Sequence, residues 1–361
     1  MNKRPRTIVV TGAAGYVGEM LCHQLSLRSD VSLVLAVDKE PVTDLLQTLD
    51  KVIYFQHNIA DAGWEDLLVT HQPDTIIHAA WQIRTMYGQA EEQWRWNIDG
   101  TARVYDFAFT QPYVEKLIFF STAASYSARA DNRFDHLFTE SEPLREDDYI
   151  YAKEKKAAEE LLATRYVAAK DAGVQRPQIT VLRPAAITGP RGRYARVRFG
   201  LQSALQGNLS GGFLNGLIST LTAIMPVTPG WVRQFVHEDD VNDVVLHCVF
   251  APSAWECETF NLVPVSNPIY PKDMAAAVGK RVLPVYPWMV RLVFWFFWHA
   301  TRGRVPTSKG VWRAYSYPLL MSGEKLATVY RCLYSSQHAF QYTDGRYDDQ
   351  VPEEKRRPRP S

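Results

Sequence analysis

Residues 148–160 read DYIYAKEKKAAEE and hold two interlocked pairs, Tyr149 with Lys153 and Tyr151 with Lys155. On a helix, a four-residue spacing puts both members of a pair on one face, a turn apart. A phenol ordinarily titrates near ~10, so it transfers protons at neutral pH only beside a cation that stabilises the phenolate. Either pair therefore offers acid–base chemistry at an alcohol or a carbonyl. A solvated, Lys/Glu-rich helix has the same composition, and the pattern alone leaves both registers open.

A second group lies at the other end of the chain. Thr11-Gly12-Ala13-Ala14-Gly15-Tyr16-Val17-Gly18 follows a short apolar run and opens a helical pattern. Gly12 can take turn angles closed to residues with a Cβ, Gly15 lets backbone approach a diphosphate, and Gly18 lets the helix press on the sheet. The free N–H groups and positive dipole end of that helix suit an anion. Twenty residues beyond Gly18 a second apolar run ends at Asp38. A carboxylate there accepts hydrogen bonds from ribose hydroxyls and repels a 2′-phosphate. That pair of features predicts a dinucleotide, NAD rather than NADP, although Lys39 next door softens the exclusion.

The elements that would position these groups alternate. Apolar, β-branched runs at 7–10, 32–37, 52–55, 75–78, 116–120 and 178–182 are separated by helical patterns, notably 16–25, 94–109 and 151–169. Alternation of this kind implies βαβ units, a buried parallel sheet and helices on both faces. Beyond Pro184 the pattern loosens. A Gly-, Arg- and aromatic-rich stretch at 190–235 reads as a loop-and-helix lid. A helix at 239–249, a strand at 259–263 and a helix at 271–278 follow. The predicted fold class is α/β: a Rossmann-type doubly wound parallel sheet with a smaller, partly interleaved C-terminal substrate-binding domain. Residues 1–183 form the dinucleotide-binding domain, to which segments near 235–262 return. Residues 184–345 are mainly substrate-binding or lid, and 346–361 are a disordered, charged tail.

Composition narrows the function further. With 40 Lys+Arg against 39 Asp+Glu in 361 residues, the net charge is +1, which gives no field for gathering a nucleic acid. Cys22, Cys248, Cys257 and Cys332 have no paired spacing and read as reduced thiols of a cytoplasmic protein. The apolar run at 8–10 is too short for a signal-peptide core. The aromatic run VRLVFWFFW at 290–298 is about half of the ~20 residues that span a bilayer. It is read as a buried helix, with a pocket wall and a peripheral membrane contact as the alternatives. Asp239, Asp240 and Asp243 are read as helix N-terminal charge rather than as metal ligands, and no metal is expected.

Taken together, TGAAGYVG (11–18), Asp38, Asn58-Ile59, HAA (78–80), NIDGT (97–101), FFSTAASYS (119–127), YAKEKKAAE (151–159), LRPAAITGP (182–190) and FVHEDDV (235–241) resemble, in order, the extended short-chain dehydrogenase/reductase family. The likeness is to its NAD-dependent epimerase/dehydratase group, over roughly residues 7–345. The family pattern has a Glu four residues after its catalytic Lys. Glu159 stands in that position relative to Lys155, whereas Ala157 follows Lys153, so the resemblance implies Tyr151 as general acid/base and Lys155 as its partner. It also implies Thr122 as the hydroxyl that orients the substrate oxygen, with Ser121 and Ser125 as competitors. Gly12, Gly15, Tyr16, Val17, Gly18, Asp38, Asn58, Ile59, Ala79, Ala80, Asn97, Ser121, Tyr151, Lys155 and Pro184 would line the cofactor, and His237 would be structural. A homodimer is a further implication.

The substrate stays open. Ala123 and Ala124 stand where family dehydratases carry acid and base groups, which disfavours sugar dehydration. Ala186 stands where nucleotide-sugar members commonly carry Asn, although Arg191, Arg193, Arg196 and Arg198 could meet a diphosphate. Trp81, Trp94 and Trp96 follow the fourth strand, where the substrate pocket is expected, and the segment 287–298 resembles the apolar C-terminal region of 3β-hydroxysteroid dehydrogenase-like relatives. The expectation is NAD-dependent oxidoreductase or epimerase chemistry on a nucleotide sugar or on a hydrophobic secondary alcohol. The alternative of another class is a non-catalytic, NAD(P)-sensing binding protein.

Overall fold

The computed structural model describes residues 4–192, 224–277, 281–341 and 345–346. Seven parallel strands form one sheet: β1 (Arg6–Thr11), β2 (Val31–Asp38), β3 (Val52–Gln56), β4 (Thr75–His78), β5 (Lys116–Phe120), β6 (Gln178–Pro184) and, far along the chain, β10 (Cys257–Leu262). Their spatial order is β10-β6-β5-β4-β1-β2-β3. Ile8, Val10, Val34, Leu35, Ile77 and Leu117 are wholly buried, as strands covered on both faces require. Each such side chain contributes at most roughly 1.5–3 kcal/mol. The strands expected at 75–78 and 116–120 keep those bounds, the other four expected in the first half are extended by one or two residues, and the one expected at 259–263 runs instead from Cys257 to Leu262.

The principal helices pack on both faces. They are α1 (Tyr16–Ser26), α2 (Gly100–Thr110), α3 (Ile150–Asp171), α4 (Glu238–Phe250) and α5 (Pro287–Ala300). One expectation needs correction. The single helix expected at 94–109 is broken into an α-helical turn (Ala90–Trp94), a π-helical turn (Arg95–Asp99) and α2. The widened turn coincides with Asn97, which is buried.

Strand order reverses between β1 and β4, and a crevice opens there at the carboxyl ends of the strands, where open α/β sheets take their ligands. A buried clamp holds the far side of the crevice. Arg183 at the end of β6 meets Glu159 of α3 with Nε 3.0 Å and Nη2 2.6 Å from its carboxylate oxygens, and donates to the Tyr126 hydroxyl at 2.6 Å.

Two small parallel pairs lie outside the main sheet, β7 (Ala186–Thr188) with β9 (Phe235–His237) and β8 (Ile224–Val227) with β11 (Arg281–Pro284), and the helix expected near 271–278 is described over Pro271–Ala277. His237 caps α4, its Nδ1 accepting from the Asp239 N–H at 3.1 Å. Asp240 pins the C-terminal segment by accepting from the N–H groups of Leu333 at 2.7 Å and Tyr334 at 3.1 Å. The helix expected at 290–298 exists as α5, but its expected burial is only half right. Val290 and Phe294 are buried, while Trp288, Leu292, Trp295 and Phe296 face outward.

Candidate active site

The crevice encloses a cavity of about 600 Å³. At its β1 end, Gly12 has φ +73, and its N–H donates to the Val37 carbonyl at 2.9 Å. A Cβ on Gly12 would lie 2.6 Å from the Ala80 backbone, so only glycine lets the loop close this tightly against β4. Gly15 is the N-cap of α1 and supplies no side-chain cap, leaving the first-turn N–H groups for a ligand. Asp38 sits at the rim, accepting from the N–H groups of Ala14 and Glu40 at 3.0 Å each, and partial burial raises its pKa. Lys39 also lines the crevice but is ion-paired with Glu40 and lies 4.8 Å over the Trp96 ring.

Beneath the floor, the His78 ring bridges Thr11 Oγ1 at 2.7 Å and Thr101 Oγ1 at 2.9 Å. Burial first, and then the Lys155 charge, push its pKa well below the ordinary value, so the imidazole is a neutral strut between β1 and α2. Asn97 likewise positions its neighbours. Its Oδ1 accepts from the Gln82 N–H at 2.7 Å, and its Nδ2 donates to Glu154 at 2.7 Å and to the Gln82 carbonyl at 3.1 Å. This holds the chain after β4 against the crevice.

At the far end, Thr122, Tyr151, Tyr149, Ala123, Ala124 and Pro184 all line the cavity. Thr122 caps the short 3₁₀ turn that ends β5, and its Oγ1 accepts from the Ala124 N–H at 3.2 Å. The competing hydroxyls are turned elsewhere. Ser125 donates to the Ala152 carbonyl at 3.1 Å, and Ser121 donates to Glu159 as part of the Arg183 clamp. Neither serine lines the cavity.

The two lysines are placed oppositely. Lys153 is exposed, whereas Lys155 is buried, donating to the Phe120 carbonyl with Nζ 3.6 Å from the Trp81 ring centroid and 4.7 Å from that of Phe119. Burial holds the Lys155 pKa well below its usual range; Glu159, Glu154 and the ring faces favour its charge. Lys155 itself does not line the cavity, and Trp81 does, so the indole covers the ammonium from the crevice side.

Of the residues expected at the cofactor, Gly12, Gly15, Tyr16, Val17, Gly18, Asp38, Asn58, Ile59, Ala79, Ala80, Asn97, Tyr151 and Pro184 converge on the crevice. Ser121 and Lys155 lie behind its wall. Arg193, Arg196 and Arg198 fall outside the described residues. Arg191 is described and pairs with Glu19 of α1. Sequence reasoning missed two features. Tyr149, set aside in choosing the register, also faces the cavity, 5.5 Å from the Tyr151 ring. The other is Glu238, which accepts from the Tyr16 hydroxyl and, at 3.2 Å, from the Arg191 N–H. A partner 222 positions away along the chain carries no local signal.

The model of the NAD-dependent epimerase/dehydratase family matches residues 8–262, most of the chain and every strand of the main sheet. The chain belongs to that family. It is thus an NAD-dependent, epimerase/dehydratase-type oxidoreductase of the short-chain dehydrogenase/reductase class. No curated protein matches it. Among solved structures it is similar to the Bordetella bronchiseptica enzyme WbmG in complex with NAD and UDP. That pair shares 18% identity and a TM-score of 0.65, covering 95% of this chain and 94% of that one. A similar fold is found in the UDP-glucose 4-epimerase of Thermotoga maritima with UDP-glucose (18%, TM-score 0.64, 93% and 97% covered). The dTDP-glucose 4,6-dehydratase of Bacillus anthracis in complex with NAD is another (15%, TM-score 0.65, 97% and 98% covered).

Proposed function

We propose that this family member moves hydride between NAD and a secondary alcohol or its ketone, with Tyr151 as the proton-transfer group. The observation that supports the reading is that Thr122 and Tyr151 both line the same cavity, with Lys155 buried one helical turn along α3 from Tyr151. The open α1 N-terminus fits a diphosphate and the Asp38 rim fits a ribose, with its carboxylate favouring NAD over NADP.

When bound, NAD supplies a two-electron acceptor and, reduced, a donor. The residues here do the rest. Thr122 accepts from the Ala124 N–H, which directs its own proton toward a substrate oxygen. In the oxidative direction Tyr151, as phenolate, takes the hydroxyl proton while the carbinol carbon gives up its hydride and becomes a carbonyl. In the reductive direction the phenol returns that proton. Lys155, one turn along α3, is the cation that would favour the phenolate, acting from behind the Trp81 indole. Ala123 and Ala124 bring no ionisable group to the cavity, which weighs against the elimination chemistry of dehydratases.

The substrate end supports an alcohol with an apolar body. It is walled by Ile83, Tyr149, Ala186, Ile187, Ala314 and Leu319. Its one cation among the described residues, Arg233, is half-buried and spends its guanidinium on the carbonyls of Val232, Ala314 and Tyr317. A nucleotide sugar is the second reading, favoured by the UDP and UDP-glucose in the similar structures.

Tyr151→Phe should lower turnover by roughly 10²–10⁴-fold while NAD affinity, read by protein fluorescence, stays close to wild type. Loss of turnover in Tyr149→Phe with Tyr151→Phe unaffected would reverse the register. A thermal-shift panel of nucleotide sugars and sterol-like alcohols, run with NAD present, separates the two substrate readings.

A further inference from the structure

Helix α5 is apolar on two faces. Its inner stripe, Val290 and Phe294, packs with Val311, Tyr149 and Tyr315, and the Phe294 carbonyl accepts from Thr307 at 2.9 Å. Positions 288, 292, 295 and 299 recur at helical spacing on the opposite side. There Trp288 is 64% exposed, Leu292 58%, Trp295 60% and Phe296 57%. Met289 of the same helix, and Leu283 and Tyr286 of the preceding strand and turn, are also exposed. Singly exposed apolar residues are ordinary, but a contiguous aromatic face of this kind marks an interaction surface.

The charge around that face says what it meets. From Met274 to Gly323 the sequence has no Asp or Glu, in a chain whose acids and bases otherwise balance. Arg281, Arg291, Arg302 and Arg304 of this stretch are exposed. The neighbouring acids, Asp147 and Asp148, are ion-paired with Arg313 and Lys309 of the same stretch. The 14-residue helix is about 21 Å long, short of the ~30 Å hydrocarbon core, and no described helix is long and apolar enough to cross a membrane. Two tryptophans and a phenylalanine outward, with exposed arginines and no acid in the same stretch of chain, are the chemistry of a helix lying in the headgroup boundary of an anionic bilayer.

We infer that α5 and its arginine rim dock this protein peripherally on an anionic phospholipid surface. The inference does not depend on the assigned reaction, because its readout is binding rather than turnover.

The test is flotation of the full-length chain with vesicles of phosphatidylcholine containing phosphatidylglycerol, beside vesicles of phosphatidylcholine alone. The protein should float with the anionic vesicles at low salt, release as salt is raised, and show a blue-shifted tryptophan emission when bound. The triple variant W288S/L292S/W295S should bind at least about a hundredfold more weakly, since it removes most of the inserted apolar area. R302Q/R304Q, which leaves the helix intact, should lose about a factor of five per arginine and most of the salt dependence. NAD affinity, expected unchanged in both variants, verifies that they fold. The inference is overturned if wild type stays at the bottom of the gradient with anionic vesicles, or if both variants float as well as wild type. It is equally overturned if vesicles fail to compete with a concentration-dependent dimer that W288S/L292S/W295S abolishes, because the face then belongs to a second copy of this chain.

Discussion

The first turn of α1 and the outer face of α5 are built on opposite plans. Around Gly12, Gly15 and Gly18, backbone presses on backbone. A Cβ on Gly18 would collide with the Gly12 carbonyl, and one on Gly12 with the backbone of Ala80. On the outer face of α5, two indoles are more than half exposed to solvent. One region has no room for a methyl group, and the other has spare surface for a partner. A ligand site made of backbone tolerates no side-chain change, whereas a docking face made of side chains leaves the fold indifferent to its composition.

That contrast makes an inverted mutational ledger, and substitution can break it. Adding one carbon in Gly18→Ala should cost about 3 kcal/mol or more, because the obstacle is backbone and cannot swing aside. Urea denaturation measures it, and a near-neutral result would mean the loop relaxes and the tight-turn account fails.

An intermediate effect is expected where the α1 region meets α4. Burial raises the Glu238 pKa from its ordinary 4.5 to about 7. The native state therefore holds this proton more tightly than the unfolded chain does. That stabilisation is complete below pH 4.5 and is lost as pH rises to about 7. Asp240, raised from 3.8 to about 6, acts in the same direction. Glu238→Gln should flatten the pH dependence of Tm over that window, at about 2–4 °C for each kcal/mol removed. An unchanged slope would mean that burial does not hold the Glu238 proton in the folded state.

The smallest effect belongs to the largest side chain. Trp295→Ser should change stability by no more than about 0.5 kcal/mol in denaturation, as solvent-facing substitutions do. A loss of several kcal/mol would show that the outer face is part of the fold's own core.

Legibility in the sequence follows the same divide. The six strands of the first half could be read within two residues of their bounds because buried parallel strands are continuous apolar runs, and the glycine loop because its spacing is dictated by one ligand geometry. The π-helical turn at Arg95–Asp99 was not legible, since one extra residue in a turn leaves helical periodicity almost intact. Nor was the seat of Lys155. Its spacing from Tyr151 is local, but the indole above it and the Phe120 carbonyl below arrive by tertiary packing. For α5, composition announced an apolar helix and could not say that two opposite faces were apolar for different reasons.

Tyr149 stands where the two regions touch. Its ring packs beside the inner stripe of α5, lines the cavity, and lies 5.5 Å from the ring of Tyr151. A Cβ on Gly310 would press on its backbone, so the layer carrying α5 is fitted closely against the start of α3. Whatever settles on the outer face of α5 therefore bears on a helix whose inner stripe touches a residue of the cavity wall.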